Sequence, residues 1–198
     1  MIGIVDYGAG NLRSVSNALK RLGVEHQPIC KPDELSAVEK IILPGVGQFS
    51  SAAKSLQASG LAEGLQKTVA DGVPLLGICL GMQLLFESSE ESLGVCGLGF
   101  LQAQIKKLDC PRVPHMGWSK VGAVRPTPML PEEQEEYFYF AHSFTAMDCD
   151  QPFVCGVTEV EGVRFVSAIQ FGHVWGAQFH PEKSGEAGAE LIRRFVEL

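Results

Sequence analysis

Leu76-Gly77-Ile78-Cys79-Leu80-Gly81-Met82-Gln83-Leu84-Leu85-Phe86 is an apolar strand that runs through a tight turn into a helix-period stretch. A cysteine stands at the turn, with glycine two positions away on either side. This is the form of a nucleophile elbow, in which small flanking residues let the backbone take a strained turn and lift the side chain out of the sheet. A thiol placed there sits at the N-terminus of the next helix, whose partial positive charge favours thiolate, the reactive form. Most free cysteines are small buried hydrophobes. The paired glycines argue for the nucleophile instead.

Upstream of the elbow, short apolar runs alternate with helix-period stretches, the pattern of strands joined by crossover helices on a parallel sheet. Ile2 to Val5 reads as a buried strand, and Leu12, Val15, Leu19 and Leu22 then share one helical face. Lys40 to Leu43 is a second strand, closed by Pro44-Gly45. Leu61, Leu65 and Val69 mark another helix that ends at Asp71-Gly72. Pro74 to Ile78 is fully apolar, as a central parallel strand buried on both faces should be.

Downstream of Leu93 the character changes. Phe100 to Ile105, Tyr137 to Phe140, Phe153 to Thr158, Arg164 to Gln170 and Val174 to Gln178 are strand candidates in a half richer in antiparallel pairing. Ala187, Leu191, Ile192, Phe195 and Val196 mark a closing amphipathic helix. Glu132 to Glu136 reads as a solvated loop or helix end. No repeat, low-complexity tract or linker divides the chain, so residues 1–198 are expected to form a single domain.

At 198 residues the chain can bury roughly 70% of its unfolded surface in one core. Apolar residues are 45% and charged residues 20% of the total, the balance of an ordinary globular protein. A formal charge of -7 without a Lys/Arg cluster argues against a nucleic-acid partner. No apolar run approaches the roughly 20 residues needed to span a bilayer. The six cysteines form no Cys-x-x-Cys pair and have no histidine at zinc-ligand spacing, so no metal is expected. No charged-then-apolar leader precedes the opening strand, which points to reduced thiols and a cytoplasmic location.

A thiolate nucleophile needs a base, and the base needs an orienting group. His180-Pro181-Glu182 offers both directly after an apolar strand, with proline stiffening the loop so that the carboxylate can hold the imidazole in one tautomer. A His-x-Glu triplet alone means little; with Cys79 it completes a triad. His26, His115, His142 and His173 have no such partner and read as structural or surface residues. Acyl transfer also needs oxyanion donors, one of which is the N–H of the residue after the nucleophile, Leu80. Pro44-Gly45-Val46-Gly47 follows the second strand at the same sheet edge, and Val46 and Gly47 are the candidates for the other.

Together these segments resemble the class I glutamine amidotransferases, and within them the branch that serves histidine biosynthesis. The resemblance covers nearly the whole chain. It rests on Asp6-Tyr7-Gly8-Ala9-Gly10-Asn11-Leu12, Leu43-Pro44-Gly45-Val46-Gly47, the elbow through Gln83, Pro114-His115-Met116-Gly117-Trp118, Tyr139-Phe140-Ala141-His142-Ser143-Phe144, and Gln178 to Gly185. It implies an α/β three-layer, flavodoxin-like fold with a mixed, mostly parallel central sheet. It also implies that Cys79 attacks the side-chain amide of L-glutamine, and that Gln83, Glu91, Ser143 and Phe144 help hold it. The family implies as partner a (β/α)8-barrel cyclase subunit, in a heterodimer, that receives the ammonia and uses it on a phosphoribulosyl substrate. Asn11, Trp118 and Lys183 match positions at that interface. The chain departs from the usual pattern at Ser119, where Asn is usual, and at Phe144, where Tyr is commoner.

Gly8-Ala9-Gly10 after the first strand invites a dinucleotide reading, but Arg13 holds the place of the third glycine. No cofactor is implied. A glutaminase of another biosynthetic pathway would more often carry Pro-Gly-Gly at the oxyanion loop. A catalytically silent regulatory module would have no use for an intact Cys79, His180 and Glu182, and a cysteine peptidase none for Gln83 and Glu91.

Overall fold

Pro28 and the sparse apolar pattern of His26–Ile29 belong to the edge of a sheet, where a missing N–H does no harm. The computed structural model describes residues 1–8, 10–131 and 135–198, with Glu135 by its main chain only. Its large sheet begins at that edge. The elements are β1 (Ile2–Val5), α1 (Leu12–Arg21), β2 (His26–Ile29), β3 (Lys40–Gly45), α2 (Phe49–Ala58), α3 (Leu61–Ala70), β4 (Leu75–Cys79), α4 (Leu80–Leu84) and β5 (Phe86–Ser89). They continue with β6 (Leu101–Lys107), β7 (His115–Ala123), β8 (Glu135–His142), β9 (Phe144–Thr145), β10 (Val154–Val160), β11 (Val163–Phe171), β12 (Val174–Ala177) and α5 (Gly185–Glu197).

The nine-stranded sheet runs β2-β1-β3-β4-β12-β11-β10-β7-β8, with β5, β6 and β9 in a smaller one. Pairing is parallel from β2 through β12 and antiparallel from β12 to β8. The sheet is mixed, parallel on one side, and covered by helices on both faces. Alternate residues of β3 point to opposite layers, Ile41 and Leu43 with α2 and α3, Ile42 with α1 and α5. In α1 the buried face is Val15, Ala18 and Leu19, and each large apolar side chain so buried contributes roughly 1.5–3 kcal/mol.

Several elements differ from the sequence expectation. β3 continues through Pro44 and Gly45 rather than closing before them, because both pair with β4. The helix after the elbow stops at Leu84, and Phe86 already starts β5. The strand before His180 ends at Ala177. Glu135 and Glu136 open β8, paired with β7, and are not loop or helix end. Glu132, Glu133 and Gln134 lie outside the described residues, as does Ala9 of the Gly-Ala-Gly turn.

Candidate active site

Three neighbouring parallel strands end at one edge of the sheet, the edge where parallel α/β sheets collect ligand groups. β4 stops at Cys79, in register with Gly45 on β3. On its other side β12 places Ala177 opposite Ile78 and hands the chain on to Gln178, Phe179 and His180. The order β3-β4-β12 therefore brings the glycine loop, the thiol and the imidazole together.

The strain of the elbow sits on the cysteine itself, at φ 54 and ψ -110, a region that side chains with a Cβ rarely adopt. The flanking glycines serve close packing, not the strained turn expected of them. Neither Gly77 nor Gly81 has a positive φ. They are small because main chains meet: a Cβ on Gly77 would stand 2.7 Å from the Gly81 carbonyl oxygen, and one on Gly81 only 1.8 Å from that of Leu43. With five residues, α4 also carries a smaller dipole than the long helix-period stretch promised.

His180 Nδ1 and Glu182 Oε1 lie 2.9 Å apart, and both side chains are almost fully buried. Oε1 also accepts from Asn11 Nδ2 at 3.2 Å, while Oε2 is buried and has no hydrogen bond among the described residues. The His180 main chain is clamped. Its N–H donates to the Tyr139 carbonyl at 2.8 Å and its carbonyl accepts from Ser184 Oγ at 2.6 Å. That hydroxyl oxygen accepts from the Tyr139 N–H at 2.9 Å, and Phe179 stacks on Phe138 with ring centroids 4.0 Å apart.

Burial is the largest influence on His180 and disfavours its charge. Hydrogen bonding and charge from Cys79 and Glu182 together outweigh it and push the imidazole up to about 9. The aligned contacts of Cys79 Sγ run to the Ala141 carbonyl and from Gln178 Nε2, both at 3.9 Å. The sulfur also raises the imidazole pKa through hydrogen bonding and charge, so the two groups are neighbours in the site. Cys155 is the contrast: its thiol is pushed up to about 12, chiefly by burial, and is inert.

A cavity of about 400 Å³ opens over Cys79. Val46, Gly47 and Leu80, the residues considered for the oxyanion, lie on its wall, as do Gln83, Glu91, Ser143 and Phe144, considered for the substrate. As the first residue of α4, Leu80 has an N–H with no acceptor inside its helix. Gln83 Nε2 donates to the Phe144 carbonyl at 2.8 Å, and Glu91 Oε2 accepts from the Phe49 N–H at 2.8 Å, at the start of α2. The Ser143 carbonyl accepts from the Leu108 N–H at 2.9 Å.

The glutamine amidotransferase class-I family model matches residues 3–198. This chain belongs to the class I glutamine amidotransferases. It is 45% identical over 201 residues to a Moorella thermoacetica protein named imidazole glycerol phosphate synthase subunit HisH, covering 100% of this chain and 94% of the relative. A protein of the same name from Methanocaldococcus jannaschii is 46% identical over 200 residues, covering 100% of both. Two solved structures, one titled as a glutamine amidotransferase and one as PurLQS from Thermotoga maritima, share the fold at TM-scores of 0.79 and 0.80. Each is 22% identical and covers 99% of this chain and 97% of its own.

Of the three residues considered for an interface, Lys183 and Trp118 of this amidotransferase flank one ring. Lys183 Nζ stands 5.9 Å from the centroid of the Tyr139 ring, and the Trp118 ring packs T-shaped with it, centroids 6.1 Å apart. Trp118 is 55% exposed and Met116 64%, the latter on the cavity wall beside Lys183. Asn11 is half-buried and turned inward to Glu182. Ser119 Oγ is bonded to His115 Nε2 at 3.1 Å.

Two polar residues on which the sequence reading placed no function sit at the amidotransferase site. His142 lines the cavity, buried, with Nδ1 3.1 Å from the Phe144 carbonyl. Burial and the neighbouring His115 and His180 outweigh that bond and hold it down to about 3, so it is neutral. Gln178 is fully buried between Cys79 and Gln83. Nothing local in the sequence marks it, because its partners come from another strand and helix.

Proposed function

We propose that this chain is the glutaminase subunit of an imidazole glycerol phosphate synthase of histidine biosynthesis. In this reading it hydrolyses L-glutamine to glutamate and passes the ammonia to a (β/α)8-barrel cyclase subunit in a heterodimer. The partner uses it to form imidazole glycerol phosphate and aminoimidazole carboxamide ribotide. Identity of 45–46% across nearly the full length of subunits bearing that name supports it. Residues 1–198 act as one domain, since α1 and α5, from opposite ends of the chain, share one apolar layer. We place the enzyme in the cytoplasm.

The observation that carries the reading is Cys79 beside a buried His180–Glu182 pair, on a cavity that also presents Gln83 and Glu91. The Cys79 sulfur attacks the carboxamide carbon of glutamine. The oxyanion that forms takes hydrogen bonds from the Leu80 N–H and from main chain at Val46 and Gly47. Collapse breaks the carbon–nitrogen bond as His180 gives its proton to the leaving nitrogen, releasing ammonia and leaving a glutamyl thioester. His180 then takes a proton from water, which attacks the thioester and frees glutamate and the thiol. Glu182 keeps the proton of the neutral imidazole on Nδ1, so Nε2 does the transfers.

Glu91 holds the α-ammonium with the oxygen that Phe49 does not engage, and main chain at Ser143 and Phe144 receives the rest of the amino-acid end. Trp118 and Lys183 present the partner-facing surface beside the cavity mouth. The test is to mix the chain with a candidate barrel subunit and that subunit's ligand and to measure glutamate release. Strong stimulation over the isolated chain is expected, and no stimulation by any barrel subunit of the histidine pathway would reject the assignment.

A further inference from the structure

Gln178 is 0% exposed, and a primary amide buried that deeply is costly unless its groups are bonded. Its orientation follows from its neighbours. The Phe144 carbonyl can only accept, so Gln83 must turn its NH2 toward it, at 2.8 Å. The second proton of that NH2 goes to Gln178 Oε1 at 3.3 Å. The amide nitrogen of Gln178 is thereby left facing Cys79 Sγ, at 3.9 Å. On its other side the same sulfur meets the Ala141 carbonyl, also at 3.9 Å.

The two contacts have opposite chemical sense. A carbonyl oxygen accepts from S–H and suits the thiol; an N–H donates to sulfur and suits the anion. We infer that Gln178 holds the sulfur of Cys79 in its anionic, attacking form, its amide oriented by Gln83 and Phe144, and so acts in the reaction beside His180 and Glu182. This inference rests on Cys79 being the nucleophile. When His180 takes the thiol proton, the sulfur exchanges the Ala141 carbonyl for the Gln178 N–H. The same chain joins the nucleophile to Gln83 and Phe144 on the cavity wall. Occupancy there and alignment of the sulfur are then one event.

The test uses the complex with the barrel subunit and two variants. Gln178→Met keeps the volume and loses the donor. Gln178→Glu keeps the shape and turns an oxygen toward the sulfur. The readout is alkylation of Cys79 by iodoacetamide at neutral pH, followed by peptide mass spectrometry with exposed Cys96 as internal standard. Alkylation is expected to slow about tenfold in Gln178→Met and more in Gln178→Glu, with kcat falling in the same order and KM changing less. An unchanged far-UV circular dichroism spectrum and co-elution with the barrel subunit certify that a variant chain is folded. A folded variant that alkylates Cys79 at the unmodified rate overturns the inference.

A measurement on the unmutated residue decides it if neither variant folds. The 15N-labelled side-chain amide of Gln178 should follow the ionisation of the sulfur in the native chain and lose that dependence in Cys79→Ala. An amide signal that does not respond to the sulfur overturns the inference. Cys79→Ala also separates the two readings: glutaminase activity surviving in it removes Cys79 as nucleophile, whereas alkylation rates report on Gln178 without any glutamine turnover.

Discussion

Asn11 and Glu182 lie 171 positions apart in the chain and meet through a 3.2 Å hydrogen bond from Asn11 Nδ2 to Glu182 Oε1. That oxygen is the one that holds His180. Oε2 is buried and has no hydrogen bond among the described residues, so these two donors hold the carboxylate in place. Asn11→Leu is expected to lower kcat for glutamine about three- to tenfold while KM moves less than about twofold, the mark of a group that orients a catalytic side chain. Steady-state kinetics of the complex check this, and a rise in KM alone would assign Asn11 to substrate or partner binding.

The strained backbone at Cys79 leads to a prediction about stability. Alanine keeps a Cβ at φ 54; glycine does not. Relief of about 1–3 kcal/mol of strain exceeds the roughly 0.5–1 kcal/mol that glycine costs through the freer unfolded chain. Cys79→Gly should therefore be more stable than Cys79→Ala by about 1 kcal/mol, with both devoid of glutaminase activity. Urea unfolding of the two variants gives the comparison, and an alanine variant as stable as the glycine one would remove strain from the account of the elbow.

The glycines beside the elbow separate crowding from backbone freedom. A Cβ at Gly81 would stand 1.8 Å from a main-chain oxygen that cannot move without breaking the sheet, whereas one at Gly122 meets only the Val157 carbonyl at 3.9 Å. Gly81→Ala is expected to cost more than about 3 kcal/mol or to prevent folding, and Gly122→Ala less than about 1 kcal/mol. Thermal melts of the two settle the point.

How much of this was legible beforehand depended on burial and on sequence distance. β4 is buried on both faces and reads as an unbroken apolar run, so its strand and the elbow after it were visible. β2 was not: at the sheet edge only Ile29 is fully buried, and Pro28 reads as a breaker. α2 was missed because two of its four buried residues are alanines, Ala52 and Ala53, which leave little periodic signal. β7 carries a distinctive motif but no strand pattern, since Met116 and Trp118 face solvent. Gln178 stands two positions before His180, but its partner Cys79 is 99 positions away, and the pairing of β12 with β4 brings the two together.

The proton on His180 carries a pH signature. Its folded value of about 9 lies above the ordinary 6.5, so the folded state binds the proton more tightly than the unfolded chain. The stability from this group is complete below about pH 6.5 and is lost as pH rises through about 9. Cys79→Ala removes much of what raises the imidazole, so its histidine should titrate at lower pH and its stability should fall less between pH 6.5 and 9. NMR titration of the His180 ring in both chains reads this directly; equal midpoints would deny the imidazole–sulfur coupling.

Tyr7 links the segment after the first strand to the Pro44-Gly45-Val46-Gly47 loop. Its hydroxyl donates to the Pro44 carbonyl at 2.9 Å in a buried setting. Burial, with the charge of Cys79, pushes the phenol well above its ordinary value, so it stays a neutral donor throughout the working pH range. A Cβ at Gly45 would stand 2.7 Å from both the Tyr7 hydroxyl and the Gly81 N–H nitrogen. The tyrosine therefore packs Pro44-Gly45 against the elbow and fixes where Val46 and Gly47 begin. Tyr7→Phe keeps the ring and loses the bond, at a cost of about 1–2 kcal/mol in stability. If the loop supplies an oxyanion donor, the looser anchor acts on the transition state more than on bound glutamine, so kcat should fall about fivefold or more with KM nearly unchanged. Kinetics with glutamine and with free ammonia make the distinction, because the ammonia reaction bypasses the oxyanion; equal losses in both would place the effect of Tyr7 on the partner and not on the loop.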